Sequence, residues 1–211
     1  MKTTVHFIRH GDAVPEYDAR LDASAGYDVL GLSKKGNAQA EALARRVAGT
    51  MQLSAIYSSP TRRAHETAEA LARATGLSVR TDARLREVYL GEENFAGVPE
   101  SERAAAVRER LALMAQVALR DGGWSSIPEV EPGAEVRARM TDAVEELARR
   151  HPGAQLAIVS HAGSINAYLA QMLGIARDFF FPIGNTSLCS VRFADGRPML
   201  VRLNDTAHLE R

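Results

Sequence analysis

The sequence predicts an α/β fold: a three-layer α/β/α sandwich with a mostly parallel central sheet and a helical cap insertion. Three observations carry that expectation. Short β-rich runs alternate with longer runs of helical period from the first residues onward. Leu156-Ala157-Ile158-Val159 is apolar throughout, as a strand covered on both faces would be. The segment from Ser101 to Leu119 interrupts the alternation with an additional helix, the natural cap over a site.

Taken in order, Val5, Phe7 and Ile8 mark a strand over Thr4 to Ile8, and the chain turns at Arg9-His10-Gly11. Asp12 to Gly31 holds a proline, several acids and two glycines, and reads as a loop. Ser33 is the expected N-cap of a helix carrying Ala40, Leu43, Ala44 and Val47 on one face, ended by Gly49. Leu53 to Ser58 is a second strand. A helix from Pro60 and Thr61 turns Ala64, Ala68, Leu71 and Ala72 inward and closes at Gly76. A short strand is expected at Leu77 to Arg80. The capping helix carries Val107, Leu111, Met114 and Ala118, and Asp121-Gly122-Gly123 stops it. A further helix from about Ala134 to Arg150 ends at His151-Pro152-Gly153. The strand at Leu156 to Val159 leads into a helix from about Ser164 to Leu173, and a hairpin of Ser187 to Phe193 and Met199 to Leu203 follows. We expect one domain over residues 1–211, with the cap insertion at about 92–130.

Composition narrows the partners. With 211 residues, 45% of them hydrophobic, the chain can bury a substantial core. Lys plus Arg and Asp plus Glu both number 26, so no global basic field points to nucleic acid or to an anionic membrane. Affinity for an anion must come from a local cluster. The one cysteine, Cys189, excludes an intrachain disulfide and a cysteine-built zinc site. No segment has the pattern of a signal peptide or a membrane span. The expectation is a soluble cytoplasmic protein, with mixed Arg/Glu helix faces that leave room for a homodimer.

Ligands of open α/β sheets bind beyond the carboxyl ends of the strands. Three such ends here carry unusual residues: Arg9-His10-Gly11, then Ser58-Ser59-Pro60-Thr61-Arg62-Arg63-Ala64, then Ser160-His161-Ala162-Gly163. Two histidines and at least two arginines converge on one sheet edge. The other histidines read as packing or surface residues (His6, His65), as part of a helix-ending turn (His151) or as part of the tail (His208). Cys189, in an apolar strand, reads as core.

Five motifs in this order resemble the histidine phosphatase superfamily, branch 1, which includes cofactor-dependent phosphoglycerate mutases and many small phosphatases. They are Arg9-His10-Gly11; Leu32-Ser33-Lys34-Lys35-Gly36 followed by Gln39-Ala40; Ser59-Pro60-Thr61-Arg62-Arg63-Ala64 followed by Thr67-Ala68; Leu85-Arg86-Glu87 followed by Gly91 and Phe95-Ala96-Gly97; and Ser160-His161-Ala162-Gly163. The resemblance implies a phosphoglycerate mutase-like fold and a metal-independent, cofactor-free phosphomonoester hydrolase working through phosphohistidine on a small phosphate ester. It makes His10 the nucleophile, Glu87 the proton donor and acceptor, and Arg9, Arg63 and His161 the phosphate ligands. Ala162 and Gly163 would add N–H groups at a helix start.

Chemistry agrees with those roles. Neutral imidazole is a competent nucleophile near pH 7. Attack at phosphorus crowds charge onto three equatorial oxygens, which forked guanidinium donors, a protonated imidazole and helix N–H groups can meet. An alkoxide needs a proton to leave, and the same carboxylate can then activate water.

The chain departs from the family pattern in places that touch recognition. The usual Arg-His-Gly-Glu-Thr/Ser-x-x-Asn reads Arg9-His10-Gly11-Asp12-Ala13-Val14-Pro15-Glu16, where Ala13 lacks the hydroxyl and Glu16 replaces an asparagine donor. A carboxylate there would repel phosphate, so the loop is expected to take another path. The Asp-Ala start resembles small protein phosphohistidine phosphatases, which lack the cap and the Glu87 segment. The family's Gly-Glu-Ser before the long helix reads Gly133-Ala134-Glu135. The alternatives to a metabolite phosphatase are a mutase, a protein phosphohistidine phosphatase and a non-catalytic phosphoester-binding module.

Overall fold

The computed structural model describes residues 1–13, 30–91 and 98–210, with some side chains early in the helix from residue 100 left out. Strands β1 (Lys2–Arg9), β2 (Leu53–Ser58), β3 (Val79–Thr81), β4 (Gln155–Ser160), β5 (Leu188–Ala194) and β6 (Arg197–Asp205) form one sheet. The helices are α1 (Lys34–Thr50), α2 (Arg62–Thr75), α3 (Glu100–Asp121), α4 (Gly133–Arg150) and α5 (Ala162–Leu173).

The strand order is β3-β2-β4-β1-β5-β6. Strands β3, β2, β4 and β1 are mutually parallel, and β5 alone runs against the rest. The apolar run predicted as a doubly covered strand is β4. Its Leu156 and Ile158 pack with Val136, Met140 and Val144 of α4 and Ile165 and Leu169 of α5. Ala157 and Val159 face the other way, onto Leu43 and Val47 of α1 and Ala68 and Leu71 of α2. Fully burying each such Val, Leu, Ile or Met side chain stabilises the fold by about 1.5–3 kcal/mol. Three layers result. The chain leaves β1 toward α1 on one face and leaves β4 toward α5 on the other. The adjacent ends of β1 and β4 therefore form the crevice where ligands of such sheets bind.

Local chemistry sets the boundaries. Ser33 Oγ accepts from the Gly36 N–H at 3.0 Å, the expected N-cap of α1. Gly76 and Gly122 end α2 and α3 in the left-handed conformation. The β5–β6 hairpin turns at Asp195-Gly196, both at positive φ.

Several edges differ from the sequence expectation, among them β1, which spans Lys2–Arg9 rather than Thr4 to Ile8, and α1, which runs past Gly49 to Thr50. Helix α5 begins at Ala162 rather than Ser164, because extended His161 is its N-cap and no Ser, Thr, Asp or Asn signals the start. β3 lies at Val79–Thr81, where the edge of β2 offers partners, instead of following its own apolar pattern. β6 continues to Asp205, past the expected Leu203.

Of the expected cap, residues 92–97 and the side chains of Val107 and Leu111 lie outside the described residues. Its far end packs into the core shared with α4 and α5 through Val117, Ala118, Trp124, Ile127 and Val130. Among the described residues no helix is long and apolar enough to cross a membrane.

Candidate active site

Strand register builds the centre of the site. In the β1–β4 pair Arg9 stands opposite Ser160, so the next residues, His10 and His161, emerge side by side. Their ring centroids are 5.0 Å apart, edge to face. In the β2–β4 pair Ser58 stands opposite Val159, which brings Ser59 and the start of α2 to the same edge.

His10 is buried, and its Nδ1 lies 2.7 Å from the Gly11 carbonyl. A carbonyl only accepts, so the proton resides on Nδ1 and the lone pair on Nε2. Arg63 Nε–H donates to that lone pair across 3.3 Å, a long bond at the position an electrophile would take. Burial, with the charges of Arg63 and Arg9, holds the His10 imidazole well below its ordinary pKa, although the Gly11 bond opposes this. It is therefore neutral at pH 7.

His161 lies wholly inside the protein. Arg63 Nη2 approaches its Nδ1 at 3.3 Å, and a guanidinium only donates, so Nδ1 accepts. Nε2 then carries the proton, within reach of Ser59 Oγ at 2.9 Å and Thr61 Oγ1 at 3.3 Å. Burial and the charge of Arg63 depress its pKa also, with smaller contributions from His10, Arg9 and Arg139. Protonation of His161, which the phosphate-ligand role calls for, is thus not the state of the free site.

Helix phase separates the two arginines. Arg63 shares the inward face of α2 with Thr67 and is fully buried, whereas Arg62 pairs with Glu66 at 2.7 Å on the outside. Thr67 Oγ1 donates to the Arg63 carbonyl at 2.8 Å and accepts the Gly11 N–H at 3.1 Å, tying α2 to the residue that fixes His10. Arg9 Nη1 donates to the Ile183 carbonyl at 2.6 Å.

Glu87 lies in the irregular stretch after the turn Ala83–Leu85. Its Oε1 accepts from the N–H groups of Val88 at 3.0 Å and Ser164 at 3.2 Å, and contacts Ser164 Oγ at 3.4 Å. The third N–H of α5, in the turn expected to greet an anion, is thus held by this carboxylate. Gly163 makes room for it, since a Cβ there would lie 2.8 Å from Glu87 Oε1. The five residues singled out from sequence thus lie in three places. His10, Arg63 and His161 touch one another, Arg9 sits at the end of β1, and Glu87 lies against the first turn of α5.

The supports contributed by Asn185 and Thr186 carry no sequence signal. Asn185 Nδ2 donates to the His10 carbonyl at 3.0 Å, and the Thr186 N–H to the Arg9 carbonyl at 2.9 Å. Buried Thr186 holds φ at 55°, a costly conformation for a β-branched residue, and bonds His208 Nε2 at 2.9 Å. His208 thus sits behind the site. Asp12 accepts from Ser33 Oγ at 2.6 Å, and its N–H donates to Gln39 at 2.8 Å. The Leu-Ser-x-x-Gly-x-x-Gln pattern therefore docks the segment after His10 onto α1. Glu16, Glu92, Glu93 and Phe95-Ala96-Gly97 lie outside the described residues. His6 packs between Ser190 and Gln155, His65 sits 3.5 Å from Glu69, and His151 meets the Tyr57 hydroxyl. Burial pushes the Cys189 thiol up to about 11.

At the topological switch the His10 imidazole lone pair is thus flanked by a buried guanidinium and a second imidazole. The chain belongs to the histidine phosphatase superfamily (branch 1), whose family model matches residues 5–206. It is a phosphoric monoester hydrolase by class. It is 30% identical over 207 residues to phosphoglycerate mutase-like protein 4 of Arabidopsis thaliana, covering 96% of this chain and 85% of that one. It is 28% identical to phosphoserine phosphatase 1 of Hydrogenobacter thermophilus, covering 96% and 92%. Its fold is similar to the mycobacterial glucosyl-3-phosphoglycerate phosphatase in complex with inorganic phosphate, at TM-score 0.73 and 29% identity over 97% and 98% of the two chains.

Proposed function

We propose that this chain hydrolyses a small phosphorylated metabolite in two displacements through Nε2 of His10. The observation that carries this is the Gly11 carbonyl on Nδ1, which leaves the Nε2 lone pair facing Arg63 and beside His161.

In the first displacement Nε2 forms a bond to phosphorus while the ester P–O bond breaks. Glu87 gives its proton to the departing alkoxide. Arg9 and Arg63 take the equatorial oxygens, where charge builds most. A bound dianion also favours the protonated form of His161 that the free site disfavours, turning that ring into a further donor. The N–H of Ala162, in the first turn of α5, adds a backbone donor. In the second displacement water attacks phosphorus, Glu87 takes its proton, the P–N bond breaks and inorganic phosphate leaves. The residues' own acids, bases and donors account for both steps, so turnover is expected to be metal-independent.

Substrate identity is inferred at the level of class. Relatives named for phosphoserine and glucosyl-3-phosphoglycerate favour a small phosphate ester over a phosphorylated protein. Assaying phosphate release from a panel of phosphorylated metabolites and a phosphohistidine protein tests this. A small ester should be preferred, and 3-phosphoglycerate should yield phosphate without 2-phosphoglycerate. Isomer in place of phosphate would make the enzyme a mutase.

A further inference from the structure

Glu87 sits in a segment with neither helix nor strand to hold it, so other groups must fix its backbone. Four successive carbonyls are held by side chains from elsewhere. Arg139 Nη1 of α4 donates to the carbonyls of Arg84 at 2.7 Å and Arg86 at 2.8 Å, and Nη2 to that of Glu87 at 3.1 Å. Ser160 Oγ holds the Leu85 carbonyl at 2.8 Å, and Ser164 Oγ joins Arg139 on Arg86 at 2.6 Å.

The guanidinium is itself held. Glu131 takes Arg139 Nε on Oε1 at 2.8 Å and Nη2 on Oε2 at 2.9 Å, the forked geometry in which arginine and carboxylate fix each other's plane. Glu131 is buried and engaged at every polar group. Its carboxylate also accepts from Arg86 Nη2 at 3.0 Å and from the Tyr89 N–H at 3.1 Å. Its N–H donates to the Tyr89 carbonyl, and its own carbonyl accepts from Trp124 Nε1, both at 2.9 Å. Burial pushes the Glu131 carboxyl up, but Arg139, the Tyr89 N–H and Arg86 together bring it below its ordinary value, so it is ionised at neutral pH.

We infer that the Glu131–Arg139 pair is a positioning device that sets the aim of Glu87, and through it the efficiency of proton transfer to the leaving group. The inference rests on the proposed role of Glu87 as the acid. The pair fastens the backbone on both sides of Glu87, while Gly163 and Ser164 locate its carboxylate against α5. None of the pair's hydrogen bonds reaches His10, Arg63 or the hydroxyls around His161, and Arg139 acts there only through its charge, the last of the causes that lower the His161 pKa and one that Arg139→Lys retains. A fault in it should therefore cost protonation and spare phosphoryl attack.

Phenyl phosphate and p-nitrophenyl phosphate separate those outcomes, being alike in shape while differing in how much the leaving oxygen needs a proton. The measurement is kcat/KM, which reports phosphorylation of His10, for the wild type, Arg139→Lys, Glu131→Gln and Glu87→Gln. Arg139→Lys keeps the charge but loses the fork. It should lower kcat/KM for phenyl phosphate about 10- to 100-fold, the scale of misplacing a catalytic group by an ångström, and change p-nitrophenyl phosphate far less. Glu131→Gln should shift the ratio of the two esters the same way. Adding Arg139→Lys to Glu87→Gln should leave that ratio where Glu87→Gln alone puts it. Equal losses on both esters in Arg139→Lys and Glu131→Gln, including loss through misfolding, would overturn the inference and leave a structural ion pair. If Glu87→Gln itself lowers both esters equally, the assignment of Glu87 as the acid fails, a result distinct from selective Glu87→Gln with unselective clamp variants.

Discussion

The two halves of this site are built by different means. On the side of the proposed nucleophile, His10 and His161 follow directly from paired strands, and Arg63 rides the buried face of a helix. Backbone hydrogen bonding and core packing place these groups, and the same interactions hold the fold. On the side of the proposed acid, Glu87 belongs to a stretch whose carbonyls are held by Arg139, Ser160 and Ser164. The first arrangement is as rigid as the sheet. The second depends on a few side chains and is the easier one to retune without disturbing the phosphoryl-transfer centre.

The sharpest way to break that comparison is to remove the nucleophile. His10→Ala should lower hydrolysis of every ester by at least about four orders of magnitude, as losing a covalent catalyst does, while circular dichroism shows an intact fold. Turnover near the wild-type level would remove His10 from the mechanism. On the acid side, Glu87→Gln should cost about 10²–10⁴ in kcat/KM on an alkyl ester and distinctly less on p-nitrophenyl phosphate. A smaller effect of the same kind is expected from Gly163→Ala, whose Cβ would press on Glu87 Oε1 and Val88. About a ten-fold loss on the alkyl ester, with a lesser change on the aryl ester, is the outcome to look for by steady-state kinetics.

The mildest test uses pH. His10 and His161 have folded pKa values below the unfolded one, so the unfolded chain takes up protons first as pH falls. Their contribution to stability is complete above about pH 6.5 and is lost progressively below it, toward the folded values. Urea denaturation from pH 7.5 to 5.5 should show that decline, and NMR titration should find both rings largely neutral at pH 6. Replacing His10 with Ala should flatten part of the slope.

The sequence was informative where a residue's place follows from periodicity. The apolar run of β4 announced a doubly covered strand, and with it that His161 stands at a strand end. Arg63 was singled out over Arg62 by the family motif, and the structure places Arg63 and Thr67 on the buried face of α2, with Arg62 paired to Glu66 on the outside. What stayed hidden are side chains acting on distant backbone. Arg139 reaches carbonyls more than fifty positions earlier, and Asn185 and Thr186 support Arg9 and His10 from the far end of the chain. No repeat or spacing encodes such bonds. Thr186 in particular adopts a backbone conformation its residue type argues against, so only the three-dimensional structure could reveal it. The expected helix-terminal donors were the N–H groups of Ala162 and Gly163, at the start of α5. The third N–H of that turn, on Ser164, is taken by the carboxylate of Glu87, a contact no sequence pattern signalled.

The most direct test of the account is to trap the covalent intermediate. Rapid acid-free quenching with labelled p-nitrophenyl phosphate, followed by peptide mapping and NMR of the modified ring, should locate the phosphoryl group on Nε2 of His10. A label on Nδ1, on His161 or on no histidine at all would contradict it.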